Sequence, residues 1–412
     1  MTDAELEILF QQLDTCLYQH RALWQFAPFA QDDVPWQATY PALYQALSAL
    51  SDEDIAQIST IDDAVSPWLE SLSDLKALYQ SPLLRHSSHQ PDTTDVPFWL
   101  MQGVKGRKQD QIARFVSALP TNAGQSHLLE WCAGKGHLGR LAAFDRRQAC
   151  TSLEWQSDLC DDGQALSAKL DIAQEFVHLD VLKQSVGPFI QPHSGVMALH
   201  ACGQLHQRCI DETVKANAAW LTLSPCCYHL ISGEHYQGMS QAAKASRLTL
   251  CKLDLKLPLQ QLVTGGERQR LLREKELLWR LAFSHYCQLT QVAQGYVSLP
   301  NFPKILLSGN YSDFVSWAIA AKAKSKQPLA LTFVPELLEL SLRVGQQQQG
   351  MLARIEVVRQ LFRRPLELWL LLDKALFLKQ HGYHIRLNTF CDFNVTPRNY
   401  LLIAQRQSLP PC

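Results

Sequence analysis

The chain has 412 residues, a formal net charge of −1 and a pI near 6.9. Apolar residues make up 47% of it, enough for a large core, which excludes global disorder. The near-neutral balance excludes a wholly basic nucleic-acid binder, so any contact with RNA or DNA needs a local basic face. Twelve cysteines without the spacing of a disulfide scaffold read as reduced thiols. The start, Met1–Glu5, is acidic and lacks the pattern of a secretory leader. The longest apolar run, Leu366–Leu372, is interrupted by Glu367 and stops at Asp373, too short for a bilayer. A cytoplasmic protein with no membrane partner is expected.

Residues 1–95 read as helices joined by polar loops. Leu6, Leu9, Phe10, Leu13 and Leu17 recur at helical spacing, and Trp36–Leu47 carries a similar stripe. Ser51 ahead of Asp52-Glu53-Asp54 is a helix cap. His86–Pro97, polar and with two prolines, reads as a linker. A helix over Gln109–Leu119 follows. Then come short apolar runs, His127–Trp131, Ala149–Trp155, Glu175–Leu179, Gly195–His200 and Trp220–Ser224, each separated by enough chain for a crossover helix. That rhythm predicts a parallel sheet covered by helices on both faces. Residues 266 to about 380 are again helical, punctuated by Gly265-Gly266 and Gln347–Gly350. Tyr383–Cys391 and Asn399–Arg406, joined through Asn394, Pro397 and Asn399, read as an antiparallel hairpin at the sheet edge.

The segment Leu128–Gly139 carries the chemistry. An apolar strand runs through Glu130 and Trp131 into Cys132-Ala133-Gly134-Lys135-Gly136 and then into a helix near His137. Gly134 and Gly136 permit a tight turn and a close ligand approach, and the helix start offers unpaired N–H groups. Taken alone, Gly134-x-Gly136-x-x-Gly139 also fits a dinucleotide loop. Glu154 ends the next strand, where a carboxylate can accept both ribose hydroxyls of an adenosine ligand. Asp180 ends the third strand, where an adenine amine would lie. Either acid alone could be an ordinary solvated strand end. Glu130 favours S-adenosylmethionine over nicotinamide, because an acid near the end of the first strand orders the loop and faces the positive methionine end.

Four stretches, in order, carry a resemblance. They are Cys132–Leu138, Leu199-His200-Ala201-Cys202-Gly203, Ser224-Pro225-Cys226-Cys227-Tyr228-His229, and Thr396-Pro397-Arg398-Asn399. The helix around Leu372-Asp373-Lys374 adds to them. The chain resembles a class I S-adenosylmethionine-dependent methyltransferase family with a G-K-G-H loop. Its relatives include methyltransferase-like and ribosomal-RNA adenine dimethylase domain-containing proteins and, more distantly, a tRNA 2′-O-methyltransferase. The resemblance covers about 100–260 and 360–412. It implies a Rossmann-like α/β fold with a mostly parallel sheet and a terminal antiparallel strand. The organisation expected is a helical region at 1–95, a methyltransferase domain at 96–265 and 366–412, and a helical insertion at 266–365. The cofactor set is Glu130, Cys132, Ala133, Gly134, Lys135, Gly136, Glu154, Asp180 and His200. Cys132 departs from the commonest loop residue, glycine.

On the acceptor side, His200 reads either as a general base or as a hydrogen-bonded structural histidine. Cys226, Tyr228 and His229 are the other candidates. Three readings of Ser224–His229 stay open: a metal site with Cys202, a cysteine nucleophile, or a pocket wall. Adjacent cysteines are poor joint ligands, so no metal is expected. Methyl transfer needs little side-chain chemistry, since the sulfonium is already activated. Basic clusters at Lys105/Arg107/Lys108, at Arg268/Arg270/Arg273/Lys275 and at Arg359/Arg363/Arg364 are either solvated helix faces or phosphate-tracking faces for RNA. The resemblance tilts the acceptor toward RNA. An NAD-dependent oxidoreductase and a non-catalytic methyltransferase-like binding protein are the alternatives.

Overall fold

Five strands lie side by side in one sheet, four of them largely buried, as strands covered on both faces are, and the third, at the sheet's edge, only partly covered. They are β1 (Leu128–Trp131), β2 (Cys150–Glu154), β3 (Gln174–His178), β4 (Gly195–Cys202) and β5 (Trp220–Cys226), followed by β6 (Tyr383–Thr389) and β7 (Tyr400–Arg406). The computed structural model describes residues 3–31, 33–58, 72–84, 96–121, 127–259, 267–393 and 395–406. The sheet order is β3-β2-β1-β4-β5-β7-β6. β1 to β5 are mutually parallel, and β7 runs antiparallel between β5 and β6. At the edge, β6 buries Tyr383 and Ile385 while His384 and Arg386 face outward, the alternation of a half-covered strand.

β4 and β5 outrun their expected ends. The register shifts between Leu199 and Ala201, and the ladder resumes with Ala201↔Pro225 and Cys202↔Cys226. His200, at the shift, has φ 61. It is the extra residue of a bulge, which lets the strand continue past a polar residue that seemed to end it.

The main helices packed with the sheet are α1 (Asp3–Gln19), α2 (Gly106–Ser117), α3 (His137–Arg146), α4 (Ser157–Lys169), α5 (Gln204–Lys215) and α6 (Arg363–Gln380). α2 begins three residues earlier than its apolar stripe, because its first turn, Gly106-Arg107-Lys108, is exposed and polar. Its inward face, Ile112, Phe115 and Val116, joins Leu138, Leu141 and Phe390 in the core.

α6 is buried almost throughout. Asp373 accepts Ser240 N–H (2.7 Å), Met239 N–H (3.0 Å) and the Tyr236 hydroxyl. Burial pushes the Lys374 ammonium down to about 8, and it donates to Tyr236 Oη (3.0 Å) and Leu370 O (2.9 Å). Arg363 and Arg364 are buried, so they are neither a solvated face nor a surface open to RNA. Arg364 pairs with Glu367 (2.9 Å) and lies 3.7 Å from the Tyr400 ring centroid, and Arg363 stands over Phe393. Asn399 Nδ2 donates to Cys391 O (2.9 Å), closing the mouth of the β6–β7 hairpin.

By contact the chain forms two units, Met1–Gln19 with Asp74–Gln260 and Arg363–Cys412, and His20–Ser73 with Gln261–Phe362. The second unit packs Trp279, Phe283, Tyr286, Phe314 and Val315 in an aromatic core. Its main helices are Glu267–Leu289, Tyr311–Ala323 and Leu337–Gln360. Ser51 caps Asp52–Ile58 as expected: its Oγ accepts Asp54 N–H (3.1 Å) and Asp54 Oδ2 accepts Ser51 N–H (3.1 Å). In this unit Arg359 is buried and paired with Glu356. Most of the expected linker, Gly265-Gly266 and Asn394 lie outside the described residues. Among those described, no helix is long and apolar enough to cross a membrane.

Replacing Asp373 by alanine strands the buried Ser240 N–H and the half-buried Met239 N–H and removes a carboxylate beside a buried ammonium. The expected cost is roughly 3 kcal/mol, read as a lowered midpoint in chemical denaturation.

Candidate functional site

In a parallel sheet the side chains at the carboxyl ends of the strands gather on one edge, and a crevice opens where the strand order reverses. Here the reversal lies between β1 and β4. That edge carries Cys132–Gly136 after β1, Glu154 at the end of β2, Asp180 after β3, His200 and Cys202 on β4, and Cys226–His229 at the end of β5. The two sides of the crevice meet at Cys132. Burial lifts its thiol to about 12, with further upward contributions from Glu154, Cys202, Glu130 and Asp180.

The loop is a left-handed turn. Cys132, Gly134 and Gly136 have φ of 57, 57 and 66. Gly134 faces open space, with no atom within 4 Å of where a Cβ would stand. Gly136 has none to spare, because a Cβ would lie 2.2 Å from the Phe176 ring. Gly139 lets α3 sit on the sheet: a Cβ there would lie 2.4 Å from Glu130 Oε2 and 2.7 Å from Gln174 Nε2. Cys132 pays a steric cost that glycine would not.

Under the loop lies a buried polar network that sequence reading did not find. Glu130, 3% exposed, accepts from Ser152 Oγ (2.6 Å) and from Gly139 N–H. Gln174 Nε2 donates to Ser152 Oγ (2.8 Å) and Gly136 O (3.0 Å). Ser167 Oγ donates to Gln174 Oε1 (2.6 Å), and Arg140 Nε donates to Ser167 Oγ (3.2 Å). Arg140 Nη2 also donates to Lys135 O (2.9 Å). Two loop carbonyls are thus held from below. The available signal was a set of polar residues, Ser152, Ser167 and Gln174, at interior positions of strands and helix. Burial pushes the Glu130 carboxyl up to about 7 against the pull of Ser152 and Gly139.

Glu154 is buried at the loop's rim. One oxygen accepts Gly134 N–H (2.8 Å) and the other accepts Gln156 N–H (3.1 Å). A carboxylate has about four acceptor sites, so two remain for hydroxyl donors. Trp155, the next residue, is 64% exposed beside that acid. Sequence reading passed over it as a strand end. Asp180 holds Leu182 N–H (3.1 Å) and pairs with Lys183 (2.9 Å), which keeps its carboxyl below the usual range. Lys135 extends from the loop to an exposed pair with Asp162 (2.8 Å). Ala133 N–H donates to Leu153 O (3.0 Å), tying the loop to β2. His137 Nδ1 accepts from Arg140 Nη1 (3.3 Å), and burial holds its imidazole down at about 4.

Across the crevice, His200 Nε2 pairs with Gln111 Oε1 (2.9 Å), and its buried Nδ1 has no hydrogen-bond partner among the described residues. Burial, then Arg398, pushes this imidazole down to about 4. The thiols of Cys202 and Cys226 touch at 3.3 Å, and both donate to His200 O. Contact with Cys202 and Cys226 draws the Cys227 thiol down, and contact with Cys202 and Cys227 pushes Cys226 up. Tyr228 is 1% exposed, with its ring against His206 and the Lys374 ammonium. It belongs to the interior rather than to the expected pocket wall, since the turn at Cys227 (φ 48) carries it inward. His229 is half-buried, and its Nδ1 lacks a hydrogen-bond partner among the described residues.

Glu130→Gln isolates the buried carboxyl. Its folded value lies above its unfolded one, so its stabilisation is full below about 4.5 and is lost as pH rises through about 7. The stability of the variant relative to the natural chain is therefore expected to rise across that window by up to about 3 kcal/mol, measured by denaturation at pH 4.5 and 8. Gly139→Ala is expected to cost about 2 kcal/mol through overpacking, seen as a lower melting temperature.

Comparison with known proteins agrees with this geometry. Residues 106–234 match a family described as "Methyltransferase domain". A stretch of 127 residues is 27% identical to a Xenopus laevis protein named glutathione S-transferase C-terminal domain-containing protein, covering 30% of this chain and 20% of that protein. The match therefore spans about one fifth of that relative's length. Among solved structures, coclaurine N-methyltransferase bound to N-methylheliamine and SAH is 11% identical, covering 79% of this chain and 94% of that one, with a TM-score of 0.26. Geranyl diphosphate methyltransferase in complex with GPP and sinefungin is 15% identical, covering 42% and 64%, with a TM-score of 0.24. Both superpose too loosely to inform the site. The match to a methyltransferase-domain family over residues 106–234 falls on the five parallel strands, whose order is that of a Rossmann-like α/β fold.

Proposed function

We propose that the chain is an S-adenosylmethionine-dependent methyltransferase acting on RNA. The observation that carries the first half is the junction of loop and acid, Gly134 N–H on Glu154 Oε2 at 2.8 Å, inside a matched methyltransferase domain. The residues present suit the cofactor. Open space over Gly134 admits it, the spare acceptor sites of Glu154 take the ribose hydroxyls, and the exposed Trp155 indole offers a face to the adenine. When bound, the cofactor supplies an already activated methyl group. The chain's part is to position the acceptor and keep the loop rigid. His200, neutral at ordinary pH, stands beside the crevice, held through Nε2 by Gln111.

The RNA half rests on the rim. Lys105, Arg107 and Lys108 are exposed and make no ion pair among the described residues. Lys108 is close enough to act electrostatically on Glu130, His137 and His200. Just before them stand Phe98, 83% exposed, and Trp99, 44% exposed. Exposed aromatics beside unpaired cations are the pattern of a single-strand platform, where bases stack and phosphates are tracked. The cluster at Arg268–Lys275 is less suited. Arg270 pairs with Glu274 (2.8 Å), and Lys275 donates to Leu307 O (2.8 Å).

Calorimetry with S-adenosylhomocysteine is expected to give micromolar binding, with NAD silent. Glu154→Ala should weaken it about 100-fold and Trp155→Ala about tenfold, close to 1.4 kcal/mol. Binding of NAD instead would overturn the reading. Labelled cofactor should mark RNA rather than protein fractions. Exchanging Lys105, Arg107 and Lys108 for alanine should leave cofactor binding intact while flattening the salt dependence of RNA binding by about 2 in log–log slope.

A further inference from the structure

Three thiols converge at the carboxyl ends of β4 and β5. The Sγ atoms of Cys202, Cys226 and Cys227 all lie within 4.8 Å of one another, and the closest pair is at 3.3 Å. We propose that these three cysteines bind a zinc ion, with His229 completing its shell.

Geometry comes first. Tetrahedral zinc with Zn–S bonds of about 2.3 Å sets thiolate sulfurs about 3.8 Å apart. The closest pair stands about 0.5 Å short of that spacing and the other pairs at most about 1 Å beyond it, so the cluster closes on an ion by small side-chain rotations. Neighbouring residues of an extended strand point to opposite faces, which is why two adjacent cysteines are expected to be poor joint ligands. Cys227 removes the objection. Its φ of 48 breaks the extended course at the end of β5, and both thiols come round to the same point as Cys202. Left-handed backbone at a non-glycine residue costs on the order of 1 kcal/mol or more, so something must hold it there.

Chemistry comes second. Soft thiolates select zinc over calcium or magnesium. Binding would release the three thiol protons to solvent, and the resulting set, three thiolates and one divalent ion, carries one net negative charge. Arg398 lies near enough to favour the thiolates of Cys202 and Cys227. His229, two residues beyond Cys227, is not among the groups already within 4.8 Å of one another, but its buried Nδ1 has no hydrogen-bond partner among the described residues, so no bond is lost when it turns toward the thiols. A disulfide between Cys202 and Cys226 would use two of the thiols, but it would leave Cys227, its strained backbone and His229 without a role.

The site stands apart from the methyl-transfer reading, because metal content and cofactor binding are measured separately. The full chain, purified without chelator, is expected to carry zinc in stoichiometric amount by elemental analysis. Cys202→Ser and Cys227→Ser should each lose it, and Cys287→Ser, a buried thiol of the other unit, should keep it. The natural chain provides a second test that does not depend on whether a variant folds. Stripped under reducing conditions and titrated with cobalt(II), it should develop thiolate charge-transfer bands and the intense visible bands of a tetrahedral site. His229→Ala should shift the visible bands, and an unchanged spectrum would remove His229 from the shell. Folded, reduced protein that carries no zinc and gives no cobalt bands would overturn the proposal. So would recovery of the cluster as a Cys202–Cys226 disulfide that reduction does not convert into a metal-binding form.

Discussion

The site depends on a carboxylate that never reaches the crevice. Glu130, Ser152, Gln174, Ser167 and Arg140 form one chain of hydrogen bonds beneath the glycine loop. Buried polar groups of this kind are costly unless every member is satisfied, and when satisfied they fix a single arrangement. The carbonyls of Lys135 and Gly136 are held by Arg140 and Gln174, so the loop's N–H groups have little freedom to turn. Gly139 allows the helix to approach the carboxylate, and Glu154 grips the loop from the other side. A ligand entering the crevice thus meets donors whose directions are set before it arrives, which lowers the ordering cost of binding.

Strain is distributed with the same economy. Non-glycine residues with left-handed backbone among those described are Cys132, Arg147, Asp171, His200, Asn217, Cys227 and Gln291. Arg147, Asp171, Asn217 and Gln291 lie at or just past helix ends, where such a turn is ordinary. Cys132, His200 and Cys227 all border the crevice. Each turns a strand end so that its neighbours face one point. Side chains from β1, β4 and β5 are gathered there by backbone that the rest of the fold must hold in place.

The parallel strands were legible because central strands are apolar along their whole length, and the loop because glycine spacing reports backbone need. The hairpin was legible through its alternation. The bulge at His200 was not, since a polar residue after an apolar run looks the same whether the strand stops or buckles. Nor was the network, because Ser152 and Gln174 look like surface residues until their neighbours are known. Arg363 and Arg364 misled for the opposite reason: charge counting places them on a surface, whereas Glu367 and Tyr400 draw them inside. Tyr228 followed the same path, and the turn at Cys227 that redirects it leaves no trace in residue spacing.

The position of β7 has a consequence for how the molecule comes to be made. β5 finds its second neighbour only in β7, and the hydrogen bond from Ser224 to Arg398 joins residues 174 positions apart. α1 packs on α6 across a still longer separation. During synthesis the five parallel strands emerge well before the strand that covers their open edge, and an unpaired buried edge invites association with other chains. The intervening helical unit has its own aromatic core and can form while the sheet waits. Completion of the sheet is therefore a late, non-local event, slow by the entropy of the loop it must close.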